Sequence, residues 1–321
     1  MFKLKKNTKM ETLKRTLVIK LLLILPFTLI IQSYTESGRL SSRELKEEAW
    51  KFPVKDTLSL ETFGSTKVFI SGSSSGEIEI KLRYIERPDE IFEVKEMQRT
   101  IYLKENILDY DRHRPTKSYF EKWTWIIKVP IGTFIKCNGS SGDFKVTGFN
   151  GSFKAVLGSG SFLFDNVEGK IDMSSAVMNV QIYNSNGSFN ISSAVGSMRA
   201  TGLTISGNSS FSSAIGTIKI SLARTSAADL YVDSNLNKAQ VRLNGHPVTG
   251  YFEFIALADG GKIISPFKFD NEETFQDDIK SYRDSSDFGK KSEYMKKSFK
   301  RGDSNPKITL KTGTGIAKLI K

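Results

Sequence analysis

The sequence predicts an all-β protein: a flattened parallel β-solenoid of two-strand rungs, each about 18 residues long, preceded by an N-terminal signal or anchor helix. Three observations predict it. The triplets starting at Phe144, Phe162, Val180 and Met198 recur at 18-residue intervals, each apolar-x-apolar. A second set keeps the same interval, starting at Ile135, Phe153, Ile171 and Phe189. Glycines mark the period as well, at Gly151, Gly169 and Gly187. A short fixed period means that each unit buries its apolar face only by stacking on the next.

Each unit holds two short stretches with a spacing of two, the signature of a strand with one buried face. The residues between the apolar positions are mostly polar: Lys136, Lys154, Asp172 and Asn190 in one set, Lys145, Gln181 and Arg199 in the other, where Leu163 is the exception. Small residues separate the strands at Ser141-Gly142, Ser159-Gly160, Ser175-Ala176 and Ser193-Ala194. The other corner carries Asn150-Gly151, Glu168-Gly169 and Asn186-Gly187, where glycine accepts positive φ at little steric cost. The period then stretches: Ile218-Lys219-Ile220 arrives two residues late, and Ala239-Gln240-Val241 gives one more turn. Two strands per unit are too few for a propeller blade. A β-sandwich would also alternate, but its strands have no reason to be equally spaced.

The stretch Val129-Pro130-Ile131-Gly132-Thr133-Phe134-Ile135, followed by Ser140-Ser141-Gly142-Asp143-Phe144-Lys145-Val146-Thr147-Gly148, resembles the putative bacterial adhesin domain family of unknown function. In that family a VPxGT strand leads into repeated Ser-Gly-type rungs. The resemblance covers roughly residues 56–321 and implies the β-solenoid fold and an adhesin-like role. Here the later Ser-Gly dyads become Ser-Ala, and the family's Gly-Asp is kept only at Gly142-Asp143. A ligand role built on a row of aspartates does not carry over.

Residues 1–20 hold seven basic side chains and one acidic one, and the apolar run Leu21–Ile31 follows. A basic region before a short apolar one reads as a secretory signal, with an uncleaved N-terminal anchor as the alternative. Residues 1–35 are therefore assigned to a signal peptide or anchor. Residues 36–55 are assigned to a linker or short helix, since Ser41 stands as an N-cap before helix formers that run to Trp50. Residues 56–321 form the solenoid domain. Its first strands, at Leu58-Ser59-Leu60, Val68-Phe69-Ile70, Ile78–Leu82 and Trp123–Val129, are irregular and read as capping rungs. Residues 270–306 lack the alternation and are expected as a charged surface excursion, after which Ile308–Leu319 restores a final rung.

The net charge of +12 is unevenly placed. Residues 270–289 carry seven acidic and two basic side chains, and residues 290–321 carry ten basic and two acidic. The basic excess belongs to the leader and one tail, so nucleic acid is not the expected partner. Lys290, Lys291, Lys296, Lys297, Lys300 and Arg301 are the candidate contacts for a polyanion such as anionic lipid or envelope polymer.

Catalysis on a solenoid needs carboxylates grouped on neighbouring rungs. Asp143, Asp165 and Asp172 fall at different positions of the period. His113 and His246 lack metal-site spacing, and Cys137 occupies an inward slot equivalent to Ala155, Met173 and Ile191. No catalytic residue, metal or cofactor is therefore assigned. The expectation is an exported, non-catalytic cell-envelope protein, in the periplasm or on the cell surface, that binds an envelope ligand or plays a structural part. Membrane association through the N-terminal segment and self-association remain open. The alternative is a carbohydrate-active enzyme, a polysaccharide lyase or hydrolase, on the same scaffold.

Overall fold

In the computed structural model the described residues are 44–115, 118–277, 292–303 and 305–321. The chain divides between Leu45 and Lys46, and the architecture lies in the second unit. The signal or anchor segment expected over residues 1–35 lies outside the described residues. The described chain is all-β, with twenty-three strands joined in one hydrogen-bonded sheet.

The middle of the chain follows the period. Asn150–Asp165 and Glu168–Tyr183 pair in parallel along nearly their whole length, Phe153 opposite Ile171 and Phe162 opposite Val180. Both partners are 18 residues apart, so one repeat is one step to the next strand. Ile135, Phe153, Ile171 and Phe189 therefore form one buried column. Phe144, Phe162, Val180, Met198, Ile218 and Ala239 form a second. The two columns face each other: Phe153 meets Phe162 edge-on at 6.2 Å and Phe164 at 5.2 Å. Dispersion and the removal of these rings from water hold the two ladders together.

The stacked corner glycines have a steric reason. Gly169 has φ near +124°, and a Cβ there would lie 2.0 Å from the Gly151 carbonyl oxygen. At the opposite corner, inward hydroxyls replace apolar side chains. Ser193 Oγ donates to Val195 O at 2.7 Å, and Ser213 Oγ donates to Gly196 O at 3.0 Å. These bonds satisfy carbonyls that the turn leaves out of the ladder.

At both ends the spatial order departs from the sequence order. Leu230–Ser234 pairs not with the next strand in sequence but with Lys307–Thr312, Val232 opposite Leu310. Gly250–Leu257 then lies beyond Lys307–Thr312, Phe252 opposite Ile308. The restored rung expected at the end of the stack is thus an inner one. Its Ile308, Leu310 and Leu319 are buried. The first rung is inserted likewise, because Thr57–Thr62 pairs with both Thr100–Ile107 and Phe134–Gly139. Antiparallel strands follow outside at each end: Glu90–Glu96 on Thr100–Ile107, and Ser292–Arg301 on Gly250–Leu257.

Two sequence expectations are corrected here. The linker or short helix expected over residues 36–55 instead contains the strand Leu45–Pro53. Glu48, Trp50 and Phe52 alternate inward, and Trp50 packs on Phe92 at 5.7 Å and on Trp125 at 6.4 Å. Tertiary burial of the tryptophan outweighs helix propensity. The surface excursion expected over 270–306 contains an antiparallel pair, Asn271–Asp277 with Ser292–Arg301. Its acidic and basic halves face each other across the pair: Glu272 opposite Lys297 and Glu273 opposite Lys296. Phe299 on the second strand is fully buried and stacks on Phe252 at 4.8 Å.

Candidate functional site

Of the cations singled out in the sequence, Lys290 and Lys291 lie outside the described residues. The others sit on the strand Ser292–Arg301, and most are already paired. Lys296 Nζ is 2.8 Å from Glu273 Oε1 and 3.7 Å from Glu253 Oε2, and the bond to Glu273 holds its pKa above the usual lysine range. Lys297 Nζ meets Glu272 Oε2 at 2.6 Å. Arg301 Nη1 is 3.5 Å from Asp270 Oδ2, and its guanidinium lies 5.1 Å from the Phe299 ring. Lys300 is exposed and donates its backbone N–H to Asp270 Oδ2 at 2.8 Å. The structure spends these charges on cross-strand pairs. A polyanion would have to compete with carboxylates already in place.

Uncompensated positive charge lies elsewhere, on the outward side of the second ladder. Arg199 is opposite Lys219, Lys219 opposite Gln240, and Gln240 opposite Lys318. Each stands between two buried residues of its strand, so strand geometry turns it to solvent. Arg242 is opposite Ser221 on one side and Ile320 on the other. Together with Thr201 and Asn244 they line a groove of about 550 Å³. No carboxylate lines it. Arg199, Lys219, Arg242 and Lys318 form no ion pair among the described residues. Asn244 braces one wall, donating from Nδ2 to Ser221 Oγ and to Leu222 O, both at 2.7 Å. Arg199 was recognisable as outward from the period. Lys318 was not, since it reaches the column through a strand that returns from 78 residues further along the chain.

A second groove, of about 440 Å³, opens on the outward side of the first ladder. Asp229, Tyr231, Glu253, Lys307 and Lys311 line it. Its carboxylates are engaged. Asp229 Oδ1 accepts the Lys307 backbone N–H at 2.8 Å, and Glu253 Oε1 is 3.0 Å from Lys307 Nζ. Tyr231 Oη donates to Asp233 Oδ2 at 3.0 Å, and burial holds the Asp233 pKa above the usual carboxylate range. Asp143, Asp165 and Asp172 contribute to neither groove. Cys137 is buried with no ionisable partner among the described residues, and burial pushes its thiol pKa far up, which suits a core position and not a nucleophile. Among the described residues no three His, Cys, Asp or Glu side chains group as metal ligands.

No protein-family model matches the chain, and no curated protein does. Solved structures do. One described as a "putative adhesin" from Bacteroides fragilis is 14% identical, with 87% of this chain and 98% of that one covered and a TM-score of 0.46. A "putative cell adhesion protein" from Clostridium sporogenes is 15% identical over 85% of this chain and 99% of that one, at a TM-score of 0.27. A "putative adhesin" from Parabacteroides distasonis is 15% identical over 63% and 90%, at 0.32. The site rests on this chain's own residues.

Proposed function

We propose that the chain is an exported, non-catalytic cell-envelope protein, a flattened parallel β-solenoid whose outer face binds an envelope polymer in an adhesin-like role. The solenoid reading draws support from the 18-residue parallel register and from the rings packed between the two ladders. Export draws support from the basic stretch and apolar run of residues 1–31. The observation that carries the binding role is the groove lined by Arg199, Lys219, Arg242 and Lys318 with no carboxylate. Four cations on one face, with no ion-pair partner among the described residues, repel one another, and a binding role explains why no acidic neighbour among those residues relieves them.

The test is cell fractionation of the full chain in a bacterial host, with sequencing of its N-terminus and sedimentation with isolated envelopes. The expected product is found outside the cytoplasm, either cleaved between Ser33 and Ser42 or membrane-held through residues 17–31, and it sediments with envelopes at low salt. A soluble cytoplasmic protein with Met1 intact would overturn the reading.

A second reading, a carbohydrate-active enzyme, is favoured by one feature: the first ladder brings Asp229, Asp233 and Glu253 to the same outward side. Polysaccharide turnover by the full chain that disappears in Glu253→Gln would establish it. The expected result is no turnover, because the carboxylates are already engaged by Lys307, Lys296 and Tyr231.

A further inference from the structure

We infer that the basic groove takes a linear acidic polysaccharide, laid across the strands along the direction in which they stack. The inference rests on the envelope-binding reading and names its ligand. Arg199, Lys219 and Lys318 stand in one outward column, the first two on adjacent strands and the third two strands on, past Gln240. With about 4.8 Å between neighbouring strands, the column is about 14 Å long. Arg242 stands two residues along from Gln240, about 7 Å to the side. The groove therefore offers one positive charge every 5–10 Å or so along the stack.

That spacing selects the ligand. Duplex nucleic acid presents a phosphate about every 3.4 Å of its axis on each strand, denser than this column. A chain of sugar rings with one carboxylate or sulfate per residue or per disaccharide has a charge spacing of the same order as the column. The remaining lining agrees, since Thr201, Ser221, Gln240 and Asn244 offer hydroxyls and amides suited to sugar hydroxyls. Asn244 commits its Nδ2 to Ser221 and Leu222, which leaves Oδ1 to accept from a ligand. No aromatic ring lines the groove, whereas single-stranded nucleic acid is held by stacking bases on such rings. Arg199 and Arg242 add forked donors that match a carboxylate with two parallel hydrogen bonds.

The test measures anisotropy of an end-labelled oligogalacturonate of ten residues against the full chain. A neutral dextran oligomer of equal length and a short DNA duplex serve as competitors. The oligouronate is expected to bind at 50 mM salt and to weaken roughly tenfold or more at 200 mM, because binding releases counterions. The double variant Arg199→Ser/Lys219→Ser should weaken binding at least about tenfold, and Arg242→Glu should do so independently. Lys170→Ser, an exposed cation on the other ladder, should leave it unchanged. Melting curves that superimpose on wild type would tie these losses to the groove, since all four positions are solvent-facing. Dextran that competes as well as the oligouronate, or double-variant binding equal to wild type, would overturn the inference and leave envelope localisation standing. DNA that competes better than the oligouronate at equal salt would overturn the carbohydrate assignment. A cytoplasmic location would instead strike the reading on which the inference rests.

Discussion

Phe162 stacks on Phe144 with ring centroids 4.9 Å apart and planes 9° from parallel, while Phe153 closes on it edge-first. It is 3% exposed, so its removal leaves a cavity that the neighbouring strands cannot fill. Phe162→Ala is expected to cost about 3–5 kcal/mol in denaturant unfolding, and Lys145→Ala, outward on the adjacent strand, less than about 0.5 kcal/mol. Equal costs at the two positions would show the register to be wrong. Glu105 poses the opposite question, a polar group in the core. It is 4% exposed, and its oxygens accept from the Phe63 backbone N–H at 2.7 Å and from Trp125 Nε1–H at 2.9 Å. Burial outweighs those bonds and pushes its pKa up to about 7 from the ordinary glutamate value of 4.5. Between those two values the folded chain holds a proton that the unfolded chain has released. Its stabilising share is therefore full below the lower value and lost as pH rises through the upper one. Relative to Glu105→Gln, the wild type should melt higher at pH 5 than at pH 8. Parallel pH profiles for the two proteins would refute the assignment.

The hairpin of Asn271–Asp277 and Ser292–Arg301 shows how an element can look like solvent in sequence and act as structure. Its charges pair across strands, and Phe299 fills the space against Phe252 and Phe254. Replacing residues 271–303 by a short glycine linker should expose those rings and unpair one edge of Gly250–Leu257. Light scattering is expected to detect aggregation. A monodisperse, cooperatively melting deletion would show the hairpin to be dispensable. The middle elements were legible for a plain reason: one repeat equals one strand step, so Phe144, Phe162, Val180 and Met198 declare their own neighbours. The hairpin was not legible, because antiparallel pairing of Glu272 with Lys297 leaves no period, only two blocks of opposite charge. Leu45–Pro53 misled for a different reason: its Glu, Lys and Ala residues favour a helix locally, and pairing with Glu77–Ile85 together with the rings of Phe92 and Trp125 makes it a strand.

At the scale of the molecule, the period fixes which residues face out but not which strands lie side by side at the ends. Arg199 and Lys219 could be placed on one outward column from their spacing, whereas Lys318 joins them only because Ile316–Ile320 pairs with Lys238–Arg242. The candidate groove was therefore half legible, and the half that was missed depends on the returning rung. That rung decides the last prediction. Lys307–Thr312 separates Leu230–Ser234 from Gly250–Leu257, hydrogen-bonding to both. Ile316–Ile320 likewise bonds to Lys238–Arg242 and to Lys262–Ile264. Truncation at residue 306 removes more than an end cap. It opens a gap inside the stack, strips Val232, Val241, Phe252 and Phe254 of their partners in that rung, and leaves two pairs of unpaired strand edges facing each other. Closing that gap would require Gly250–Leu257 to shift by a whole strand spacing, about 4.8 Å, carrying its antiparallel partner with it. The truncated chain is expected to lose cooperative melting by circular dichroism and to aggregate through the exposed edges. The rung supplied in trans as a peptide of residues 305–321 should bind the truncated chain and restore the melt. A truncated chain that stays monomeric and melts as the full one does would mean that the returning rung lies at the end of the stack and not within it.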